Sequence, residues 1–516
     1  MSIAAIPPVE SANLQAKENT ATPGAPLPEI SPADCRRIRE VLAKANYTEQ
    51  GVCQSLGLDH LGQLRERKLA AMLWRTRGGS PLEILVRLFV LGQDADVTAL
   101  QRALAPMSVD EWKQMGLIEA AEGASVKASF HLRCYRDLIF AYDFPRRGRG
   151  GLRPDYVMGV SPSSLILAAM TVRLKSSATL DLGFGCGIQA ILAAPHSARV
   201  VGVDCNPRAV AVARRNANLN GIANIDFREG DMFAPVRGEK FDLIVTNPPF
   251  IISPENRHFF LNSGLESDEI CRRIVREAPA FLNENGYCVM NANWAVIDGE
   301  DWRARLASWF ESAGCNGLVF AQETRDPGEY AAGLIEAGSN EEGEYMRMFD
   351  EWMAYYAKLR ISGIGQGVIV MQQDTKRANW FAVEPAPANI AYPSGDDVAL
   401  LMKLRSFLHS LPAERDLLDV RLKLAPSVKL DQVCEAANGA WRAVSGRVRR
   451  SGGLEFLGVL DGPSAAALAK WNGTRPLRDE FVELAAAFKI DFDAFVPKAL
   501  LIVRRLVEQG FLLPPE

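Results

Sequence analysis

The chain has 516 residues, 48% of them hydrophobic and 23% charged, and carries a net charge of −4. That is enough for two or three domains with real cores, and the mildly acidic balance excludes the strong positive field of a dedicated nucleic-acid binder. No membrane span is present, and five isolated histidines at 60, 131, 196, 258 and 409 offer no metal-ligand spacing, so no metal is expected.

Residues 1–30 are polar and contain proline, without the charged start and apolar core of a secretory signal, and are expected to form a disordered lead. Nine cysteines are scattered with no C-x-x-C pair, which fits free thiols in a reducing cytoplasm. Residues 31–150 read as an accessory domain. Helices dominate from 32 to 143, with strong apolar periodicity at 81–89 and helical stretches at 97–100 and 109–113. Leu117-Ile118-Glu119 and the alternating run at 126–132 predict a small β-hairpin, and helices followed by a hairpin suggest a winged-helix-like unit. Such a fold does not choose between presenting substrate, binding nucleic acid and dimerising. Arg146-Arg147-Gly148-Arg149-Gly150-Gly151-Leu152-Arg153 then forms a basic hinge, either a phosphate contact or a solvated linker.

The next domain, residues 151–380, carries the informative motifs. Ala178-Thr179-Leu180-Asp181 ends a predicted strand, Leu182-Gly183-Phe184-Gly185-Cys186-Gly187 follows, and 188–194 reads as a helix. Glycines at alternate positions let the backbone pass close to a bound cofactor, and the helix start adds outward-pointing N–H groups. The G-x-G-x-x-G dinucleotide fingerprint is met poorly because residue 188 is Ile, which disfavours a nicotinamide cofactor. Residues 199–203 are a second buried strand ending in Asp204, whose carboxylate can take both hydroxyls of a ribose. Asn206 and Pro207 cap and start a helix that stops near Asn220-Gly221. A third strand at 225–228 runs into Gly230-Asp231-Met232, where Asp231 can accept from an adenine amino group and Met232 can flank the ring. Taken singly, each acidic residue is more often a solvated loop charge or a cap.

A fourth strand, 241–245, delivers Asn247-Pro248-Pro249-Phe250 to the carboxyl edge of a parallel sheet, where open α/β folds do chemistry. A planar amide or nucleobase NH2 has a delocalised lone pair and is a poor nucleophile until it is oriented. The Asn247 side-chain oxygen and the Pro248 carbonyl can each accept one N–H bond, and Phe250 offers a flat apolar face. Alone, the tetrapeptide is equally a rigid Pro-Pro turn. Glycine loop, acidic strand end, Gly-Asp and Asn-Pro-Pro-Phe at four successive strand ends form an order that chance seldom produces.

With these motifs, residues 181–250 resemble the core of class I S-adenosylmethionine-dependent methyltransferases of the Asn-Pro-Pro-[Phe/Tyr] type. That group includes release-factor glutamine methyltransferases, ribosomal RNA guanine and adenine amino-group methyltransferases, and adenine-amino DNA methyltransferases. The resemblance covers 156–374 and implies an α/β, Rossmann-like, seven-stranded sheet with S-adenosyl-L-methionine as cofactor. It assigns Asp181, Gly183, Gly185 and Gly187 to the methionine end, Asp204 to the ribose, and Asp231 with Met232 to the adenine. Asn247, Pro248, Pro249 and Phe250 would hold the acceptor, with Asn247 bordering the cofactor as well. Val160-Ser161-Pro162-Ser163-Ser164 sits where relatives have a cofactor-covering motif, although Ser here is equally an N-cap for the helix that follows.

Beyond the acceptor motif the sheet is expected to continue through 286–290 and 317–320 and to finish at 367–371. Between the last two lies an acidic, aromatic helical insertion, 326–356, which either shapes the acceptor pocket or fills space as a solvated helix. His258, soon after the acceptor motif, reads as a surface or packing residue. Glu384-Pro385-Ala386-Pro387-Ala388 marks a boundary, and 390–516 reads as a mostly helical accessory module with a winged-helix-like ending at 499–512. Arg447-Val448-Arg449-Arg450 is a second basic patch, a phosphate contact or an ordinary basic turn.

These features predict N-methylation of a planar nitrogen, without a dedicated general base. Three readings rank in order: a macromolecule methyltransferase, a small-molecule methyltransferase of a biosynthetic pathway, and a cofactor-binding protein without activity. Two flanking modules favour a macromolecular acceptor, RNA, DNA or protein. A nucleobase amine stands ahead of a protein glutamine amide, which presents nearly the same donor face. A cytoplasmic enzyme without membrane contact is expected, its oligomeric state open.

Overall fold

In the computed structural model, residues 27–64, 68–144, 153, 155–254, 264–311, 313–335, 342–437, 439–460 and 462–515 are described. The lead at 1–26, the hinge residues 146–152, His258 and Glu341 lie outside them.

The central layer is an eight-stranded sheet. Its elements run α1 (Pro162–Met170), β1 (Ser176–Leu182), α2 (Ile188–Ala193), β2 (Ser197–Asp204), α3 (Pro207–Leu219), β3 (Ile225–Glu229) and β4 (Phe241–Thr246). They continue with α4 (Glu269–Glu277), β5 (Leu282–Ile297), α5 (Trp302–Trp309), β6 (Cys315–Ala321), α6 (Pro327–Ile335), α7 (Glu342–Lys358), β7 (Ile361–Gln373) and β8 (Phe381–Pro385). The spatial order is β8-β6-β7-β5-β4-β1-β2-β3. Strands β1 to β5 are mutually parallel, and β7 runs antiparallel to both β5 and β6. Near-continuous apolar runs such as Leu243-Ile244-Val245 form these strands because helices and flanking modules bury both sheet faces. The chain leaves β1 toward β2 on one side, and β4 pairs on the other, so the switch point lies at the carboxyl end of β1.

The sheet has one strand more than the seven expected. Glu384-Pro385, read from sequence as a boundary, ends β8, which pairs in parallel with β6. Pro385 is tolerated because it is the last residue of an edge strand, and Glu384 is buried against two arginines of the C-terminal module.

The flanking modules are built onto the sheet. Before it, helices Pro32–Lys44, Glu49–Leu56, Leu69–Arg75, Pro81–Phe89, Val97–Leu104 and Val109–Gln114 accompany a three-stranded sheet of Ala95–Asp96, Ser125–Ala128 and Ile118–Ala120. Ser80 with Glu83 and Ser108 with Glu111 form capping boxes that fix two of the helix starts. The run at 126–132 is not one strand: Phe130 turns into the core, the Ser129 N–H goes to the Leu117 carbonyl, and His131–Tyr135 pairs instead with Leu138–Tyr142. One hydrophobic cluster extends from these helices through α2 and α3.

Behind the sheet, helix Gly395–Ser410 and helices Leu477–Phe488 and Phe492–Glu508 share a second cluster with Leu243, Val289, Phe320 and Val370. Alternate residues Ile244, Met290, Val319 and Ile369 face the opposite layer with α4 and α5. The C-terminal module is less helical than expected, since Val428–Ala437, Ala440–Arg450 and Leu457–Leu460 form an antiparallel sheet. Its basic patch is largely spoken for. Arg450 is buried against Asp397, and Arg449 bonds Asp431 at 2.8 Å. No described helix is long and apolar enough to cross a membrane.

Candidate active site

The carboxyl ends of β1, β2 and β4 surround a cavity of about 180 Å³. Of the residues singled out from sequence, Gly183, Gly185, Asp204, Asp231, Met232, Asn247, Pro248 and Pro249 line it, whereas Asp181, Gly187 and Phe250 do not.

The glycine loop turns from β1 into α2 with φ of +72° at Gly183, +53° at Gly185 and +83° at Gly187, a region that L side chains adopt at a cost. Among the described residues, chain neighbours aside, a Cβ on Gly183 would meet no atom within 4 Å, and one on Gly185 only the Met158 carbonyl at 3.8 Å. Neighbours therefore do not demand glycine at these two positions; the positive φ does. Gly187 is different: its Cβ would lie 3.0 Å from Ala213 Cβ, so its smallness lets α2 pack on α3.

Asp181, which does not line the cavity, sits just behind it. It is 1% exposed behind the loop, and its Oδ2 accepts from the Ala190 N–H at 2.8 Å in the first turn of α2. Burial pushes its carboxyl up to about 8, and the nearby Asp204 charge pushes the same way. Its Oδ1 has no hydrogen-bond partner among the described residues.

Asp204, at the end of β2, accepts from Gly185 N at 2.8 Å and from Asn206 N at 2.9 Å. Burial raises its pKa against these two N–H bonds, which favour the ionised form. Each oxygen retains a lone pair, the capacity a diol would use. Asp231 is exposed at the rim, and Met232 beside it holds φ at +49°, a strained conformation of the kind that clusters at functional sites. Ser161 Oγ accepts from Ser164 N at 3.2 Å and caps α1, while Ser164 itself lines the cavity, so this segment is both cap and cavity wall.

At the end of β4, the Thr246 hydroxyl donates to the Leu182 carbonyl at 2.7 Å, locking the two strand ends together. In the tetrapeptide the Phe250 N–H already donates to the Pro248 carbonyl at 2.8 Å, leaving that oxygen one further lone pair. Phe250 packs partly buried against the α4 layer and does not line the cavity.

Sequence reasoning missed the groups that hold this loop. Asn291 on β5 donates to Asn247 Oδ1 at 2.7 Å, and Asn293, two residues on, donates to the Tyr330 hydroxyl at 2.7 Å. Tyr330 of α6 also accepts from Ile252 N at 3.3 Å, and the Tyr356 hydroxyl of α7 donates to the Ile252 carbonyl at 2.8 Å. The insertion thus packs on the chain leaving the acceptor motif. A signal was present: two asparagines in the otherwise apolar run Tyr287-Cys288-Val289-Met290-Asn291-Ala292-Asn293-Trp294, where strands disfavour Asn.

The strand order, the glycine loop after the central strand, the acidic end of its neighbour and the Asn-Pro-Pro-Phe turn define a class I S-adenosylmethionine-dependent methyltransferase. Residues 161–300 match the methyltransferase small domain, and the chain belongs to that family. Residues 44–129 and 402–514 match two domains of unknown function, DUF7059 and DUF7782. Among curated relatives, a release factor glutamine methyltransferase of Geobacter sulfurreducens is 39% identical over 129 residues, 22% of this chain and 45% of that protein. One of Xylella fastidiosa is 32% identical over 234 residues, 40% of this chain and 81% of the relative. The ribosomal RNA small subunit methyltransferase C of Alcanivorax borkumensis is 32% identical over 165 residues, 32% of this chain and 45% of the relative. The chain therefore spans under half the length of the first and third of these relatives.

Proposed function

We propose that this chain transfers a methyl group from S-adenosyl-L-methionine to a planar nitrogen of a macromolecule, with a protein glutamine amide as acceptor, in the cytoplasm. The observation that carries it is Asn247 Oδ1, pinned at the rim of a glycine-loop cavity with a lone pair to spare. The names of the Geobacter and Xylella relatives favour glutamine and reverse the order drawn from sequence. The Alcanivorax relative keeps a nucleobase amine as the second reading.

The residues present fit the cofactor. Gly183 and Gly185 leave bare backbone for its methionine end, Asp204 takes the ribose, and Asp231 with Met232 takes the adenine. Bound there, the cofactor supplies a methyl group already activated by a sulfonium. Asn247 Oδ1 and the Pro248 carbonyl hold the two acceptor N–H groups, so the nitrogen points into the cavity. Alignment of this kind contributes on the order of 7–11 kcal/mol. As the nitrogen becomes positive its N–H bonds to these oxygens strengthen, which stabilises the transition state above the ground state. The methylated nitrogen then loses its proton to water. The units at 31–150 and 390–516 supply docking surface for a macromolecule.

The test is transfer of label from S-adenosylmethionine into an extract of cells lacking the protein, with Asn247→Ala as control. Label in protein that needs Asn247 supports the reading, and label in RNA or DNA moves the nucleobase to first place. Label only in small molecules would sink it.

A further inference from the structure

Asn291 is buried, at 5% exposure, and both of its amide hydrogens are used: one goes to the Ser163 carbonyl at 2.9 Å, the other to Asn247 Oδ1 at 2.7 Å. A backbone carbonyl can only accept. The Asn291 atom facing Ser163 must therefore be Nδ2, and its second hydrogen requires an acceptor on the Asn247 side. The orientation of the Asn247 amide is thus inherited from a fixed backbone oxygen, through one intermediate side chain. Without that link the oxygen and nitrogen ends of Asn247 are nearly the same shape and exchange by a half-turn, which would aim donors at an acceptor that is itself a donor.

The same bridge joins the two sides of the site. Ser163 lies in the first turn of α1, next to cavity-lining Ser164, and Asn247 opens the acceptor tetrapeptide. Asn293, on the same face of β5, anchors Ile252 through Tyr330. One strand therefore reaches both ends of the acceptor segment.

We propose that Asn291 is a positioning residue that sets the polarity of the Asn247 amide, so that its oxygen and not its nitrogen faces the acceptor NH2. This rests on the methyl-transfer reading of the site. Asn291→Asp keeps the shape and removes both donors. The new carboxylate draws Asn247 Nδ2 toward itself and turns the acceptor oxygen away. Asn291→Ala removes the link without inverting it.

The experiment uses the full chain, the labelled-methyl assay and calorimetric titration with S-adenosylhomocysteine. Initial rates at saturating cofactor should fall roughly 100-fold in Asn291→Asp and roughly tenfold in Asn291→Ala, the scale of losing one preorganised group. The S-adenosylhomocysteine Kd should stay within about threefold, since the contacts to the cofactor are kept, while the acceptor concentration for half-maximal rate rises less than the rate falls because only one of the two acceptor N–H contacts is lost. A wild-type chain that labels while both variants label at its rate overturns the proposal alone. Loss of S-adenosylhomocysteine binding in step with activity, in both variants, makes the role structural and also overturns it. If the wild type binds S-adenosylhomocysteine yet labels nothing, the functional reading fails and takes the proposal with it.

Discussion

The side-chain amide of Asn216 on α3 donates to the Cys186 carbonyl at 2.8 Å, closing the glycine loop from behind. The same amide donates to the Ala141 carbonyl at 2.9 Å and accepts from the Ala141 N–H at 2.8 Å, so it pairs like a strand with the last hairpin of the N-terminal module. Asn216 is fully buried. Asn216→Ala strands three backbone groups at roughly 1–3 kcal/mol each if none finds water, and an overall loss of about 3 kcal/mol is expected. Urea denaturation measures it. A loss under about 0.5 kcal/mol, the scale of an ordinary surface change, would mean that the hairpin is not tied to the loop in this way.

Gly183 and Gly187 should separate binding from stability. Both hold positive φ, so alanine at either costs roughly 1–2 kcal/mol of backbone strain. Gly183→Ala adds, at a residue that lines the cavity, a methyl that meets no atom of the described residues within 4 Å. Its S-adenosylhomocysteine Kd should rise at least about tenfold, near 1.4 kcal/mol. Gly187→Ala adds instead a 3.0 Å contact with Ala213, so it should melt lower than Gly183→Ala yet bind nearly normally while folded. Equal Kd values for the two variants would place the cofactor elsewhere.

What was legible from sequence follows from how local each signal is. The strands ending in Leu182, Asp204 and Thr246 each combine a buried run with a turn, so their order at one sheet edge could be read directly. The contact of Gly187 with Ala213 and the burial of Asp181 behind the loop were not legible, because they depend on how α2 packs on α3, a partner further along the chain. Asn291 and Tyr330 reach the acceptor segment from 44 and 78 residues away, a distance no window reveals. β8 was hidden by its proline, and Val428–Ala437 by its charged, weakly alternating composition.

Asp181 gives the fold a pH dependence of known sign. Its carboxyl is raised from 3.8 to about 8 by burial, so between those values the folded state holds a proton that the unfolded state has released. Stability from this group is fully present below the unfolded pKa and is lost as pH rises through about 8. Asp181→Asn keeps an oxygen for Ala190 N and cannot ionise. The variant should therefore gain on the wild type steadily from pH 5 to pH 8 in denaturation midpoints, with little difference at the acid end. Parallel profiles would show that Asp181 is not the group responsible.

Glu384 on β8 is the joint between the sheet and the C-terminal module. Its buried carboxylate receives Arg405 Nη2 at 2.5 Å, Arg505 Nη1 at 2.6 Å and Gln509 Nε2 at 3.0 Å. Arg505 is half-exposed and can turn to solvent, whereas the Arg405 side chain is 4% exposed, with Glu508 at 3.8 Å as its other counter-charge. Glu384→Gln leaves that guanidinium with only the more distant Glu508 as counter-charge, and breaking a buried pair from one side costs roughly 3–5 kcal/mol. Replacing both partners by apolar residues of similar volume is often close to neutral, so Glu384→Met with Arg405→Met should recover most of the loss. Because the pair is shielded from solvent, raising salt from 0.1 to 1 M should change the single variant's deficit little. A single variant within about 1 kcal/mol of wild type, the scale of a surface ion pair, would show that the C-terminal module is held to the sheet by its apolar contacts alone.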